Sequence, residues 1–354
     1  MDQKRAERKY AHLDYAVAME GGPRSSGWDD IQLVHQALLE YDKSEIDTHL
    51  ELFEKKLTMP VVINAITGGA PGLEKINGAL ARMAAKFGLG LAVGSQTAGI
   101  RDKKVRPTYE IVRRINPEGL IMANVSAQVS PDDACEAVEM IQADVLQLHL
   151  NGVQELIMAE GDRKFRGAAE NILNIVEKVS VPVMVKEVGF GISQEAALRL
   201  SRLGIKALDI SGAGGTNFAD IELARNPKKN LEFLRYWGIP AASSLLEVKK
   251  LGLPVTLMAS GGITGSLEII KALALGADVA GIAGSFLKTL VKEGEEALDC
   301  KIQNMQEELK ILMLISGAQT IRDIKKLPLV ILGQTRKWCE QRGVSISGYS
   351  CRHI

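Results

Sequence analysis

The chain has 354 residues, 46% of them hydrophobic, and it carries 43 basic and 43 acidic side chains. A chain of this length can bury a large core, either as one α/β domain or as two smaller domains. A formal net charge of zero provides no global field that would attract nucleic acid or an anionic membrane. We therefore expect neither partner, and any anionic ligand must be held by local groups.

The cysteines and the N-terminus indicate the compartment. The four cysteines are far apart and form no CxxC pair, which argues against a zinc site and against a secreted disulfide framework. The first residues, MDQKRAERKYAHLDYA, are charged, and no later segment has the roughly 18 uncharged apolar residues of a membrane span. These features predict a cytoplasmic protein.

From about residue 60, short apolar runs alternate with longer segments of helical periodicity, which is typical of repeated βα units on a parallel sheet. In one segment between strands, Ala196, Leu200 and Leu203 recur at the spacing that places apolar residues on the core-facing side of a helix. Eight strands are predicted: Val61–Ala65, Leu89–Val93, Leu120–Val125, Val145–Leu150, Val181–Lys186, Ala207–Ile210, Val255–Ala259 and Val279–Ile282. Eight such units predict a (β/α)8 TIM barrel.

The remaining segments are interpreted as additions to this barrel. The long connection from Gly214 to the seventh strand predicts an extra helix over the barrel mouth. Residues 1–60 form an N-terminal extension, and residues 295–354 form a C-terminal one, with a helix from about Glu295 to Leu314 and a polar tail. Because no low-complexity linker separates these parts, we expect a single domain over residues 1–354.

Active sites of TIM barrels lie at the carboxyl ends of the strands, where the βα loops converge. Nearly every predicted strand ends in a polar or glycine-rich group. These groups are Thr67-Gly68-Gly69, Gly94-Ser95-Gln96, Asn124, His149-Leu150-Asn151 with Gln154-Glu155, Lys186-Glu187, the run from Ser211 to Thr216, Ser260-Gly261-Gly262 and Ala283-Gly284-Ser285.

The last two groups favour a phosphate site, since glycine lets backbone N–H groups approach an anion and a helix begins directly after each. One glycine pair alone often serves only to make a tight turn, but two in adjacent units favour phosphate. The chain has neither a P-loop nor a GxGxxG with an acidic residue in the expected place. The phosphate is therefore predicted to belong to a mononucleotide cofactor or a phosphorylated substrate.

Lys186 closes an apolar strand, so its ammonium group is expected to emerge into the barrel mouth. There it could neutralise a reduced flavin ring or form a Schiff base. The alternative is a structural lysine paired with Glu187, although successive strand residues point to opposite faces.

The HLNxxQE stretch that begins at His149 places several polar side chains at the end of the fourth strand. Glu155 could ligate Mg²⁺ bound to a diphosphate, or it could cap the following helix. Near the N-terminus, Arg8, Lys9 and His12 form a basic cluster, which on charge grounds alone is usually a solvated helix face.

These motifs together resemble the type 2 isopentenyl-diphosphate isomerases, a family of FMN-dependent barrels. The resemblance extends over essentially the whole chain. It is carried by RKYAH from Arg8, NAITGG from Asn64, VGSQ from Val93, LQLHLNGVQE from Leu146, VPVMVKEVGFG from Val181, SGAGGTNFADIE from Ser211, ASGGI from Ala259 and GADVAGIAGSFL from Gly276.

The resemblance implies a role for each matched position. FMN would be bound by Ala65, Ile66, Thr67, Gly68, Ser95, Asn124, Lys186, Ser211 and Thr216, with its phosphate at Gly261, Gly262, Ala283 and Gly284. The substrate would be bound by Arg8, Lys9, His12, Asn151 and Gln154, and Mg²⁺ by Glu155. The catalytic residues would be Gln154, His149 and Lys186. The chain departs from many relatives at Thr97, where they have arginine, and near Val125-Ser126, where they have a glycine pair.

The implied reaction converts isopentenyl diphosphate into dimethylallyl diphosphate by a 1,3-allylic proton shift, a step of isoprenoid biosynthesis. Reduced FMN would act as the acid and base, Mg²⁺ would hold the diphosphate, and NADPH would keep the flavin reduced without being a stoichiometric substrate. Relatives imply a homo-oligomer, either a tetramer or an octamer.

The sequence is less consistent with three rival functions. An FMN-dependent α-hydroxy-acid oxidase needs a histidine base and an arginine for the carboxylate, and Ala213 and Thr216 stand at those positions. An inosine-monophosphate dehydrogenase needs a cysteine nucleophile on a mouth loop, but Cys135 falls in a predicted helix and Cys300, Cys339 and Cys351 follow the eighth strand. A binding or scaffold barrel would leave the converging polar strand ends unexplained.

Overall fold

The computed structural model describes residues 3–226 and 230–352. Within these ranges the strands are β1 Ile31–Leu33, β2 Leu50–Leu52, β3 Lys55–Leu57, β4 Val61–Ile63, β5 Gly90–Ala92, β6 Ile121–Ser126, β7 Val145–Leu150, β8 Val183–Glu187, β9 Ala207–Asp209, β10 Thr256–Ser260, β11 Val279–Ile282 and β12 Leu329–Ile331. Strands β4 to β11 are parallel and close into an eight-stranded barrel, with β11 paired to β4. The predicted TIM barrel is therefore confirmed.

The helices follow the strands as the sequence predicted. They are α1 Gln3–Ala18, α2 Leu73–Phe87, α3 Thr97–Arg101, α4 Pro107–Ile115, α5 Pro131–Ile141, α6 Gly152–Ile157, α7 Ala168–Lys178, α8 Gln194–Ser201, α9 Phe218–Arg225, α10 Ala241–Lys250, α11 Ser266–Leu275, α12 Gly284–Glu293, α13 Glu295–Ser316, α14 Ile321–Ile324, α15 Gly333–Gln341 and α16 Ser347–Ser350. Helix α9 is the extra helix expected before the seventh barrel strand. Among the described residues, no helix has the length and apolar character needed to cross a membrane.

Side-chain alternation along the strands divides the core into two parts. In β7, Leu146 and Leu148 point outward and pack against the surrounding helices, whereas Val145 points into the barrel. The lower part of the barrel interior is apolar, with Met122, Met184 and Met258 among its buried side chains. The upper part of the same interior holds polar residues, and these form the floor of the site described below.

The hairpin of β2 and β3 plugs the lower end of the barrel. Leu52 and Leu57 from this hairpin belong to the same buried cluster as the apolar interior. Eight-stranded barrels leave just enough interior space for side chains to fill, so such a plug completes the core. Part of the N-terminal extension is thus a structural element of the barrel.

The C-terminal tail, predicted only as an Arg- and Gly-rich end of the helical extension, contains strand β12. Strand β12 pairs antiparallel with β1 of the N-terminal extension, with Ile31 opposite Ile331. Both side chains are buried in the main core cluster, and Cys339 of α15 is buried there too. The two extensions are therefore joined to each other and to the barrel helices.

Candidate active site

A cavity of about 930 Å³ opens at the carboxyl ends of the barrel strands. Every residue that the sequence analysis assigned to the site lines it. These residues are Arg8, Lys9, His12, Ala65, Ile66, Thr67, Gly68, Ser95, Asn124, His149, Asn151, Gln154, Glu155, Lys186, Ser211, Thr216, Gly261, Gly262, Ala283 and Gly284. The fold brings them together at one mouth, while the individual roles given to them stay predictions.

A chain of buried hydrogen bonds crosses the upper part of the barrel interior beneath this cavity. The Asp209 carboxylate accepts from the Asn64 amide at 2.7 Å and from the Ser260 hydroxyl at 2.6 Å. Asn64 accepts from the Gln147 amide at 3.2 Å, and Gln147 accepts from the Asn124 amide at 3.0 Å. All five side chains are buried. Each of these polar groups therefore has the partner that burial requires.

His149 stands at the cavity end of this chain, with its Nδ1 atom 3.0 Å from Asn124 Oδ1. Burial lowers the pKa of His149 to about 3, and the positive charges of Lys186 and Lys9 act in the same direction. The imidazole is consequently neutral at physiological pH. It faces the cavity as a polar group without a charge.

Lys186 points into the barrel, and its ammonium nitrogen lies 3.9 Å from Asp209 Oδ2 and donates to the Glu187 backbone carbonyl at 2.6 Å. The predicted alternative, a pair with the Glu187 carboxylate, is wrong. That carboxylate accepts backbone N–H groups from Val188 and Gly189. Burial raises the pKa of Glu187 to about 7, against these hydrogen bonds and the Lys186 charge, which lower it. The Lys186 ammonium is thus available at the cavity floor.

Gln154 is held by a carboxylate behind the cavity wall. Glu222, whose side chain is 1% exposed, accepts from His12 Nε2 at 2.7 Å and from Gln154 Nε2 at 3.0 Å, and it also pairs with Arg225. Burial by itself raises the pKa of Glu222, but these hydrogen bonds and the Arg225 charge hold it below its usual value. The Gln154 oxygen accepts from Asn151 at 3.3 Å, so both ends of the amide are fixed.

Helix α1 lies over the mouth, which places the basic cluster on the cavity. The Lys9 ammonium donates to the Ser95 carbonyl at 3.3 Å, and Arg8 lies 3.7 Å from Glu160. Burial, followed by repulsion from Arg8, lowers the pKa of Lys9 to about 8. Burial also lowers the pKa of His12, although its Glu222 hydrogen bond opposes this. The solvated-face alternative is therefore wrong for Lys9 and His12.

Glu155 lies in the first turn of α6 and does not cap that helix. Its carboxylate accepts from the Asn151 amide at 2.8 Å and from the Asp162 backbone N–H at 2.8 Å. Over residues 3–226 and 230–352, no group of three or more His, Cys, Asp or Glu side chains could hold a metal ion by itself. A Mg²⁺ ion that takes one carboxylate, diphosphate oxygens and water fits the Glu155 position.

The glycine-rich loops after β10 and β11 fit the phosphate of a mononucleotide. Gly261 and Gly262 have φ values of +98° and +71°, so the turn itself requires glycine there. Turn geometry does not explain Gly284, which has no positive φ and begins α12. A Cβ on Gly284 would lie 2.9 Å from Thr216 Oγ1, on the cavity wall. The bare backbone and the N-terminus of α12 provide N–H donors for an anion.

A lysine from the C-terminal extension also reaches this end of the cavity. Lys301 of α13 donates to Ser285 Oγ at 2.7 Å and to Thr289 Oγ1 at 3.3 Å, and all three residues line the cavity. Burial lowers the pKa of Lys301, whereas the Glu293 carboxylate raises it. The cavity size, the glycine cradle, Lys301 and Lys186 together suit FMN, since ligand cavities of roughly 300 to 1,000 Å³ are typical.

The sequence patterns predict no role for Asp209, Gln147, Glu222 or Lys301. The first two had a readable signal, because each is a polar residue at an inward position of an otherwise apolar strand. Glu222 stands among apolar residues in α9, and Lys301 is one of many charged residues on α13. Neither of these two is distinguished in the sequence from ordinary helix-surface charges.

Comparisons with known proteins identify the family of the chain. The family model for FMN-dependent dehydrogenases matches residues 89–330. An isopentenyl-diphosphate delta-isomerase of Moorella thermoacetica is 50% identical over 338 residues, which cover 96% of this chain and 97% of that protein. The enzyme of that name from Bacillus licheniformis is 47% identical over 349 residues, which cover 98% and 99%.

Solved structures with the same fold are more distant in sequence. A lactate oxidase of Pediococcus acidilactici superposes with a TM-score of 0.68 at 17% identity, covering 93% of both chains. A mandelate oxidase variant with an FMN adduct superposes with a TM-score of 0.65 at 14% identity, covering 93% of this chain and 100% of that one. These two show the barrel fold alone. From the full-length relatives and the family model, the chain belongs to the type 2, FMN-dependent family of isopentenyl-diphosphate delta-isomerases.

Proposed function

We propose that the protein interconverts isopentenyl diphosphate and dimethylallyl diphosphate by a 1,3-allylic proton shift, in isoprenoid biosynthesis. The observation that carries this proposal is the position of Gln154, fixed by Glu222 and Asn151 in a cavity that is also lined by the glycine-rich loops after β10 and β11. Relatives of nearly equal length that are 47% and 50% identical are named for this reaction.

The cofactor half of the cavity would hold FMN. Its phosphate would lie at Gly261, Gly262, Ala283 and Gly284, and its ring beside Lys186. When reduced and bound, FMN supplies an acid and base for the alkene and is not consumed, so the net oxidation state does not change. The Lys186 ammonium would stabilise negative charge at the ring, and Asp209 lies 3.9 Å from it.

The substrate half would hold the diphosphate and the isoprenoid carbons. Arg8, Lys9 and a Mg²⁺ ion on Glu155 would bind the diphosphate, and Asn151 keeps the Glu155 carboxylate in place. Gln154 would lie beside the carbons, with its NH₂ group directed to Glu222. Because an allylic shift adds one proton and removes another, fixed orientation on this side is what the protein must supply.

The fold neighbours raise oxidation of α-hydroxy acids as a second candidate. Ala213 is buried and Thr216 lines the cavity, and neither side chain can act as a base or bind a carboxylate through two N–H groups. We therefore expect no oxidation of lactate or mandelate.

The test is an anaerobic incubation of the protein with isopentenyl diphosphate, FMN, Mg²⁺ and NADPH. The proposal predicts dimethylallyl diphosphate in large molar excess over the NADPH oxidised. A parallel incubation with lactate or mandelate in air is expected to give no hydrogen peroxide. Bound flavin that is reduced by a hydroxy acid, without any isomerisation, would contradict the proposal.

Two further experiments test the proposed Mg²⁺ ion and the oligomeric state. Chelation of Mg²⁺ should abolish activity. Sedimentation analysis would test the expected tetramer or octamer.

A further inference from the structure

The hydrogen-bond chain under the cavity has a direction, because its far end is a group that can only accept. Asp209 receives the Ser211 backbone N–H at 3.1 Å and faces the Lys186 ammonium, and both of these can only donate. Its carboxylate accepts from the Asn64 amide at 2.7 Å. Since a carboxamide has an oxygen on one side and NH₂ on the other, Asn64 has to present its NH₂ group to Asp209.

A second backbone group fixes Asn64 independently. The Ala65 N–H donates to Asn64 Oδ1 at 2.9 Å, which identifies that atom as the oxygen. The same oxygen faces the Gln147 amide, so Gln147 must direct its NH₂ group toward Asn64. The Gln147 oxygen then faces Asn124, and Asn124 must donate to it. Each amide transmits the orientation of the previous one.

The last link is the imidazole. Because Asn124 donates through Nδ2, its Oδ1 atom faces His149 Nδ1 at 3.0 Å and can only accept. We propose that Asp209, acting through Asn64, Gln147 and Asn124, holds His149 in the tautomer with the proton on Nδ1, so that Nε2 presents a lone pair to the cavity. Asp209 is then a positioning residue for His149.

The chemical consequence concerns what His149 can do in the site. A neutral imidazole with a bare Nε2 accepts a hydrogen bond and does not donate a proton. A ligand atom that hydrogen-bonds to Nε2 must therefore carry an N–H or O–H group. Burial, followed by the positive charges of Lys186 and Lys9, lowers the pKa of His149 and disfavours a second proton on the ring.

Because the hydrogen-bond chain is buried, the orientation of its amide groups is not easily reversed. Asn64, Asn124, Gln147 and Asp209 are at most 4% exposed, so water cannot readily substitute for a missing partner. Reversing one amide would place two oxygens or two NH₂ groups face to face at each neighbouring link. The cost of leaving buried polar groups unpaired is therefore multiplied along the chain.

The test is ¹⁵N NMR of the flavin-bound protein labelled at histidine, with His149→Gln used to assign the His149 signals among the five histidines. We expect Nδ1 protonated and Nε2 in the unprotonated range of chemical shift. In Gln147→Leu the Asn124 amide can turn over, so signals from both tautomers are expected. Met184→Leu removes only a weak sulfur acceptor, 3.7 Å from Gln147 Nε2, and leaves the amide links intact, so it should leave the spectrum unchanged.

A conservative replacement of Gln147 tests whether the direction of the hydrogen bonds, and not the packing of the side chain, sets the His149 tautomer. Gln147→Glu is expected to keep the wild-type tautomer, because an ionised carboxylate accepts from Asn124 and a protonated one can also donate to Asn64. A proton on Nε2 in the wild type, or an unchanged spectrum in Gln147→Leu, would overturn the proposal. This outcome does not depend on whether the protein isomerises isopentenyl diphosphate, so the two proposals can fail separately.

Discussion

The two ends of the barrel interior are both buried, yet they are built from different chemistry. At the lower end, Leu52 and Leu57 of the β2–β3 hairpin pack against an apolar interior that includes Met184. At the upper end, strands of the same barrel present Asp209 and Gln147, joined through Asn64 by hydrogen bonds. The lower end is stabilised by apolar burial, whereas the upper end depends on exact pairing of donors and acceptors.

This difference explains why one barrel can be both stable and reactive. The apolar end tolerates changes that conserve volume, because hydrophobic burial has no direction. The polar end has directed hydrogen bonds, so a single altered donor changes what the cavity presents to a ligand. Changes at the two ends should therefore separate loss of stability from loss of activity.

The largest effect is expected at the upper end, from Gln154→Ala. Because Gln154 is proposed to lie beside the substrate carbons, we expect its loss to lower kcat by roughly 10² to 10⁴-fold, the usual range for a positioned proton-transfer group. Flavin binding and thermal stability should stay near wild type. Gln128→Ala is the matched control, since Gln128 lines the cavity rim and is exposed. Equal losses in both variants would refute a special role for Gln154.

At the lower end, Leu57→Ala should lower the free energy of unfolding by about 2 to 5 kcal/mol, because it leaves a cavity in a fully buried cluster. Denaturant titration measures this change. The ratio of FMN to riboflavin affinity should not move in the folded variant. The same substitution at the exposed Leu38, 77% accessible, is the control and should cost little. A change in ligand preference in Leu57→Ala would show that the two ends are not independent.

A smaller effect, on FMN affinity, is expected from Lys301, beside the loops proposed to bind the FMN phosphate. Lys301→Met keeps the side-chain stem but removes the ammonium beside Ser285, and we expect FMN to bind about 10 to 100-fold more weakly, as for a lost charge-assisted hydrogen bond. Riboflavin, which lacks the phosphate, should bind as well as it does to the wild type. Flavin fluorescence quenching on the apoprotein gives both constants. Lys310→Met on the same helix pairs with Glu307 and serves as the control.

The smallest expected effect is a pH dependence of diphosphate binding. The pKa of Lys9 is lowered to about 8, so its ammonium is charged below that pH and loses its proton as the pH rises through it. Affinity for inorganic pyrophosphate should therefore decline above about pH 8. The decline in affinity shifts to higher pH if the bound anion stabilises the Lys9 ammonium. In Lys9→Met this part of the pH profile should be flat. An identical pH profile in the wild type and in Lys9→Met would contradict a role for Lys9 in diphosphate binding.

The sequence was sufficient to predict the barrel because its signal is local. All eight barrel strands lie within two residues of their predicted bounds. The difference at β8 has a simple reason: Pro182 has no N–H to donate, and the strand begins at the next residue. The residues at the strand ends were predictable for the same reason, since the fold alone places them at the mouth.

Contacts between distant parts of the chain were not predictable from local pattern. The Asp209 partner Asn64 is 145 positions away, and Gln154 and Glu222 are 68 positions apart. The pairing of β1 with β12 joins segments almost 300 residues apart, and the local pattern of the Arg- and Gly-rich tail does not predict it. Periodicity indicates which face of a strand is buried, but not which partner a buried polar group finds there.

The most direct test of the proposed isomerase is the position of hydrogen in the product formed in D₂O. The protein is incubated without oxygen in D₂O with isopentenyl diphosphate, FMN, Mg²⁺ and catalytic NADPH, and the product is examined by NMR. A proton shift through the site predicts dimethylallyl diphosphate with solvent deuterium in a methyl group, formed without matching NADPH consumption. Bound flavin with no isomerisation, or product formed only in proportion to NADPH oxidised, would contradict it.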